Sequence, residues 1–168
     1  DVDHALAALM ESSPYFINRS GQLIVFDEAT HRISESLKTL RARYSGKGHL
    51  ELNQLTAYQL MAALSESDSV RFSKDFQLLT QHLSKPETFD LPTYKVEAGL
   101  RPYQERGVQW LSMLHHYGFG GILADDMGLG KTLQTIAYLS AHLEEGQRVL
   151  VLSPSSLIYN WQDEFKKF

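Results

Sequence analysis

Apolar residues recur along this chain in two rhythms, one of period near 3.6 and one of short unbroken runs. From Asp3 to Glu11, Ala5, Leu6, Leu9 and Met10 fall at helical spacing, and Pro14 ends the stretch. Two apolar runs follow, Tyr15-Phe16-Ile17 and Leu23-Ile24-Val25-Phe26, separated by Asn18-Arg19-Ser20-Gly21, the signature of a β-hairpin. From Glu28 to Tyr44, Ile33, Leu37, Leu40 and Tyr44 recur at intervals of 4, 3 and 4, one face of a helix that Gly46 and Gly48 would break. His49-Leu50-Glu51-Leu52 reads as a brief strand, and Asn53 as the cap of a helix from Gln54 to about Leu64. A further helix, roughly Val70 to Leu83, carries the stripe Phe72, Phe76, Leu79 and Leu83, which is a core or docking face. Residues 86–98, with two prolines and no clear period, read as a linker.

The texture changes after Gly99. Pro102 stands at a first helical position, where its missing N–H costs nothing. The helix it opens has Tyr103, Val108, Trp110, Leu111 and Leu114 as its apolar face, and Gly118 and Gly120 end it. An apolar strand, Gly121 to Ala124, then leads through a glycine-rich turn into an apolar helix, Leu133 to Leu143. A second strand is expected over Arg148 to Leu152, a turn at Pro154, and a last helix, Leu157 to Lys167, capped by Ser155 or Ser156. Two apolar strands joined through a helix are the beginning of a parallel sheet. The expected class is therefore α/β: residues 1–85 a small, mostly helical module with a β-hairpin, 86–98 a linker, and 99–168 the first part of a nucleotide-binding domain.

Composition narrows this picture. At 43% hydrophobic and 21% charged the 168 residues can fold, and the net charge of −4 lacks the basic excess of a self-sufficient nucleic-acid grip. The absence of cysteine excludes disulfides, thiolate metal sites and cysteine nucleophiles. No apolar run approaches the ~18 residues that would span a membrane. A chain that opens on Asp1 reads as a piece of a longer protein.

The chemistry concentrates in DDMGLGKT, Asp125 to Thr132, set between apolar strand and apolar helix. Amides of a glycine-rich turn and of a helix N-terminus converge on an anion there, and the helix dipole favours negative charge. In the general pattern G-x-x-x-x-G-K-[ST] the lysine reaches the β- and γ-phosphates and the hydroxyl ligates Mg²⁺. Gly130-Lys131-Thr132 closes that pattern and Gly128 adds a second flexible point, but Asp125 stands where it has glycine.

Three blocks carry a resemblance: Leu100-Arg101-Pro102-Tyr103-Gln104-Glu105-Arg106-Gly107-Val108-Gln109-Trp110-Leu111; LADDMGLGKTLQTIA from Leu123 to Ala137; and the run from Val149 through Ser153-Pro154-Ser155-Ser156 and Trp161 to Phe165. In order and spacing these resemble the Swi/Snf-type ATPases of helicase superfamily two, continuously from Leu100 to Phe168. The resemblance implies a RecA-like lobe of parallel strands and flanking helices, of which residues 99–168 would be the first part. It also makes an aspartate at the first loop position usual. It implies that Gln104 reads an adenine edge with its amide and that Arg101 reaches the same site. Asp125, Asp126, Met127, Gly128, Leu129, Gly130, Lys131 and Thr132 would form the ATP-binding loop, in which the amides of Gly128 through Thr132 would cradle the phosphates, Lys131 would neutralise the transferring phosphate, and Thr132 would hold Mg²⁺. The two aspartates are expected to point outward or to bond within the loop, since like charges beside a polyphosphate repel. The third block resembles a motif that touches one DNA strand, which makes Ser155 and Ser156 candidates for a backbone phosphate contact or, equally, mere helix caps. Trp161 reads as core. Residues 1–98 resemble, more weakly, the segment preceding the ATPase core in prokaryotic members.

The implied parent activity is a double-stranded-DNA-dependent ATPase that translocates on DNA and displaces or remodels bound proteins. Its place would be cytoplasmic and nucleoid-associated in a prokaryote, nuclear in a eukaryote, with no membrane partner. Walker-B carboxylates and arginine fingers, which hydrolysis in such enzymes needs, have no counterpart in these residues, so this stretch alone is expected to hydrolyse ATP negligibly. The alternative is a non-catalytic interaction module with an incomplete nucleotide site. The seven histidines are scattered, and the adjacent His115 and His116 point apart on a helix, so no metal site is expected.

Overall fold

The computed structural model describes residues 2–40, 42–51, 53–64 and 71–168. The chain divides into two compact units, residues 1–80 and 81–168, each built on its own core.

The first unit begins with helix α1, Val2–Met10, followed by the hairpin of β1, Tyr15–Ile17, and β2, Leu23–Val25. The pair is antiparallel with Phe16 opposite Ile24. Its turn combines backbone bonds from Asn18 N–H to the Gln22 carbonyl and from Gly21 N–H to the Asn18 carbonyl, both 3.0 Å, with the Asn18 carboxamide oxygen accepting from the N–H of Ser20 at 3.0 Å and of Gln22 at 2.9 Å. Helix α2, Glu28–Thr39, starts at Asp27, whose carboxylate accepts from the Thr30 N–H at 2.8 Å. Those Thr30 bonds hold the Asp27 carboxyl below the usual carboxylate range.

The helix expected to reach Tyr44 stops at Thr39. Arg43–Gly46 is strand β3, antiparallel to β4, His49–Glu51. Gly46 and Gly48 therefore serve a second hairpin rather than a helix end, with Lys47 and Gly48 at φ of 55° and 76° in the turn. The 4-3-4 spacing that suggested one long helix bridges two elements because a strand residue can continue a helical count by coincidence. Leu52, expected to end β4, lies outside the described residues. Helix α3 spans Gln54–Leu64 as expected, and α4 spans Lys74–Ser84, its predicted start at Val70 lying outside the described residues. Phe72 precedes α4 and stacks on Phe76 with ring centroids 5.1 Å apart. Leu37, Ala42, Leu64 and Leu79 are buried in this unit with Ser34, whose hydroxyl donates to the Leu9 carbonyl.

The second unit is organised by α5, Pro102–His116, and α6, Lys131–His142, with α7, Ile158–Lys167, after them. Pro102 opens α5, and Gly118 at φ +68° follows its C-cap. Val108, Met113, Leu114, Ile136 and Ala137 form the core together with Ser112 and Gln134. The expected apolar face of α5 is only partly the buried one: Tyr103, Trp110 and Leu111 are half-buried, and Ser112 and Met113 lie inside. Residues 86–98 form a short 3-10 turn, Pro86–Thr88, and then an irregular segment bonded to both helices. Gln109 donates to the Phe89 carbonyl, Tyr94 donates to Glu105 at 3.2 Å, and the Lys95 N–H donates to Ser140 at 2.9 Å.

The two strands expected here are not formed. Among the described residues the ladders are the two hairpins of the first unit, and residues 121–124 and 148–152 join none. A strand is held by hydrogen bonds from a neighbour, not by its own extended backbone. Without that neighbour Ile122, Leu150 and Leu152 turn outward at 86%, 81% and 85% exposure. Gly121 nonetheless packs on α5, where a Cβ would meet the ring of Trp110 at 2.8 Å.

His142 joins α6 to α5. Its Nε2 lies 2.8 Å from the Ser112 hydroxyl, and its ring is 4.8 Å from that of His115 and 5.0 Å from that of Tyr138. Burial, and then the neighbouring His115, hold its pKa below the ordinary value of 6.5. The folded chain therefore resists a proton that the unfolded chain accepts. The contribution is intact above the ordinary histidine value and is lost as pH falls through the lowered one. The melting temperature is expected to drop from about pH 8 to about pH 5, and to drop less in H142Q. Equal slopes in the two proteins, measured by thermal circular dichroism, would contradict this.

Candidate functional site

Residues 125–132 connect the irregular segment after α5 to α6. The turn is made by two glycines in the left-handed region, Gly128 at φ +86° and Gly130 at φ +75°, which a residue with a Cβ enters at a cost of about 1–2 kcal/mol. Around Gly128 a Cβ would meet nothing within 4 Å. Gly130 is the N-cap of α6, and no side chain caps that helix. Its first N–H groups are thus left for an acceptor from outside the helix.

Lys131 is the first residue of α6, and its ammonium bends back over the turn. It donates to the carbonyls of Asp125 at 2.6 Å and Asp126 at 2.9 Å. Two of its three N–H bonds are thereby spent on the loop's own backbone. Met127, at the tip, is 96% exposed, and Asp126 is exposed beside it. Thr132 is half-buried in the first turn of α6. The combination of uncapped helix amides, open glycine surface and a lysine ammonium is chemically suited to an oxyanion.

Both helices are tied to the loop at the carbonyl of Leu129. Gln104 donates to it through Nε2 at 3.1 Å, Tyr103 through its hydroxyl at 3.2 Å, and Gln134 through Nε2 at 3.5 Å. Gln104 is buried, and its Oε1 accepts the N–H of Arg101 at 2.9 Å. The amide read from sequence as facing a nucleobase is therefore engaged at both ends inside the chain. One end closes the first turn of α5, as a glutamine at the third position of a helix does, and the other holds the loop. Arg101 is the exposed N-cap of α5.

Asp125 bonds within the chain. Its Oδ2 accepts from Gln134 Nε2 at 2.8 Å. Ser155 and Ser156 lie apart from these residues in sequence, exposed on a 3-10 turn, Ser155–Leu157. Neither caps α7, whose N-cap is Leu157 with no side-chain bond, because the intervening 3-10 turn moves the helix start beyond their reach. Trp161 is half-buried and packs on Phe165 with centroids 5.9 Å apart. Among the described residues no group of three or more His, Cys, Asp or Glu side chains is placed to hold a metal ion.

Two participants were missed by reasoning from sequence. Tyr103 was counted only as an apolar position, and Gln134 was not singled out. The available signal for Gln134 was a lone amide between Leu133, Ile136 and Ala137, on the side of α6 that should be apolar.

Fold and site together describe a protein of mixed helix and strand in which a glycine-turned loop runs into a lysine-led helix. The chain belongs to the SNF2 (Swi/Snf) family. Residues 103–168 match the SNF2-related domain, and residues 1–93 match the bacterial SNF2 helicase associated domain. Membership implies a RecA-like fold for the second region. The chain is 34% identical, over 95% of its length, to YwqA of Bacillus subtilis, whose name assigns it provisionally as an ATP-dependent helicase/translocase. It is 37% identical over 70% of its length to the chromatin-remodeling ATPase INO80 of Drosophila melanogaster, and 44% identical over 54% to the helicase SWR1 of Debaryomyces hansenii. It spans 19%, 7% and 6% of those three proteins. No solved structure matches.

The two loop glycines differ in their surroundings. Where Gly128 is open, a Cβ at Gly130 would lie 2.5 Å from Gln104 Nε2. G128A should cost about 1–2 kcal/mol of stability from backbone strain alone. G130A should cost more, and by less than the additive sum when combined with Q104A. Chemical denaturation of the four proteins checks this; equal losses for the two glycine variants would contradict the packing.

Proposed function

We propose that residues 125–132 bind the phosphates of ATP with Mg²⁺, and that the chain is the ATP-binding segment of a DNA-dependent translocase that remodels protein–DNA complexes. The observation that carries this reading is the uncapped start of α6 behind two left-handed glycines, with the Lys131 ammonium bent back onto the loop carbonyls of Asp125 and Asp126. The backbone of residues 128–132 would cradle the polyphosphate, Lys131 would exchange its carbonyl partners for phosphate oxygens, and the Thr132 hydroxyl would ligate Mg²⁺. When bound, ATP supplies a phosphoanhydride whose cleavage is coupled to movement. Asp126 and Met127 belong to the rim of the site. Arg101, exposed at the start of α5, is the residue of this region best able to reach the nucleoside. Gln104 serves the site chiefly by holding Leu129.

Residues 99–168 are on this reading the start of the ATPase lobe and residues 1–85 an accessory module before it. Double-stranded DNA and its bound proteins are the partners proposed for the parent, by analogy with the helicase, translocase and remodelling activities in the names of its relatives. Ser155 and Ser156, exposed on their turn, are the proposed contacts to a DNA phosphate. Turnover needs carboxylates and arginines that these motifs do not include, so this stretch is proposed to bind ATP without hydrolysing it appreciably.

Calorimetric titration with Mg-ATP tests the site. K131A should weaken binding roughly ten- to hundredfold, the effect of losing a charged hydrogen bond worth about 1.5–3 kcal/mol. Unchanged affinity in K131A, or no binding by the unaltered chain, would favour a non-catalytic interaction module. Phosphate release by the same chain with duplex DNA present should stay near background.

A further inference from the structure

Gln134 has no solvent exposure at all, and a fully buried amide is unusual unless each of its ends has a partner. One end does. Nε2 donates to Asp125 Oδ2 at 2.8 Å and, more weakly, to the Leu129 carbonyl at 3.5 Å. The other end, Oε1, is buried with no hydrogen-bond partner. Its orientation is dictated chemically. A carboxylate only accepts, so the amide nitrogen must face Asp125, and turning the group over would set oxygen against oxygen. Oε1 is thereby directed at α5, at Gly107, where a Cβ would overlap it outright. Gly107 is interior to a helix, has no positive φ, and so is not required for its backbone freedom. Glycine there weakens a helix relative to alanine. What the position requires is the missing side chain.

We infer that Gln134 is a positioning residue for the phosphate loop, a buried lock seated in the space left by Gly107. It anchors Asp125 at the loop's start and adds to the grip on Leu129 just ahead of Gly130. This gives the aspartate at the first loop position a physical role: its carboxylate is the acceptor that lets α6 hold the loop's beginning while Gln104 holds its end. The lock itself rests on the contacts above. Its consequence for nucleotide rests on the reading of residues 125–132 as an ATP site.

The test reverses the polarity of the bond. In Q134E two carboxylates face each other, and above neutral pH they repel. The order parameters of the Gly128, Leu129 and Gly130 amides, measured by NMR relaxation without nucleotide, should fall from a rigid value near 0.85 to below about 0.6. They should recover as the pH is lowered and the pair, beside the Lys131 ammonium, comes to share a proton. D125N/Q134E puts the donor at position 125 and the acceptor at position 134, and should restore both loop rigidity and Mg-ATP affinity to within about twofold, against a loss of tenfold or more in Q134E. G107A should loosen the loop at every pH, because its Cβ expels the amide whatever its charge. Should Q134E fail to fold, Q134M keeps the length and an apolar stem. It should loosen the same three amides while leaving those of Val108 and Ile136 rigid, whereas a merely structural role would loosen all of them together. A rigid loop in Q134E at pH 8, or no rescue in D125N/Q134E, overturns the inference. If the unaltered chain binds no Mg-ATP while the order parameters behave as stated, the nucleotide reading fails and the lock stands.

Discussion

Three donors from two helices converge on one backbone carbonyl, that of Leu129. A surface loop ordinarily has solvent as its partner and is free to move with it. Here Tyr103 and Gln104 from α5 and Gln134 from α6 take that place, so the turn is held to the packing of the two helices behind it. The glycines on either side of Leu129 follow from the same constraint. The chain must reverse twice in the left-handed region to present that carbonyl inward, and at Gly130 the Gln104 amide leaves no room for a Cβ. Behind the exposed tip of Asp126 and Met127, the start of α6 is left without a side-chain cap, and the Lys131 ammonium is bonded to the loop carbonyls.

The polar residues inside the second unit belong to this arrangement. Gln104, Ser112 and Gln134 are buried among Val108, Met113, Leu114, Ile136 and Ala137. Their hydrogen bonds have fixed donors and acceptors and so favour the packing of α5 on α6 in which they are made, with only the Gln134 Oε1 among them left unpartnered. The first unit uses the same device on a smaller scale, where the buried Ser34 hydroxyl on α2 donates to the end of α1 at Leu9.

Part of the helical content was legible because a helix burying one face must repeat near 3.6 residues, as α1 does before Pro14, while α3 and α5 were legible from their starts at Asn53 and Pro102. The hairpin at residues 15–25 was legible from its turn residues. Tyr44 was assigned to a helix because periodicity counts spacing and cannot see that the backbone has changed to strand. The glycine turn at Gly128 and Gly130 and the lysine after it were legible as a candidate anion site, since glycines before an apolar helix leave backbone open at its start. Ser155 and Ser156 looked like helix caps because the 3-10 turn that displaces the helix start has no distinct sequence signal.

The sequence by itself determined the likeness of residues 100–168 to the SNF2 family and that a glycine-rich turn precedes an apolar helix. These are local properties, set by residue type and spacing over a dozen positions. The start of that helix at Lys131, two residues before the expected Leu133, came from the structure. The tertiary structure decided what the amides do. Gln104 is inside rather than facing outward, Asp125 is the acceptor of a residue nine positions away, and Gly107 is small because Gln134 needs its space. It also left residues 121–124 and 148–152 outside any ladder, and a strand exists only through its neighbour. Each of these depends on which side chains of two helices meet, and the number of ways to bring them together is not reduced by any pattern within either helix alone.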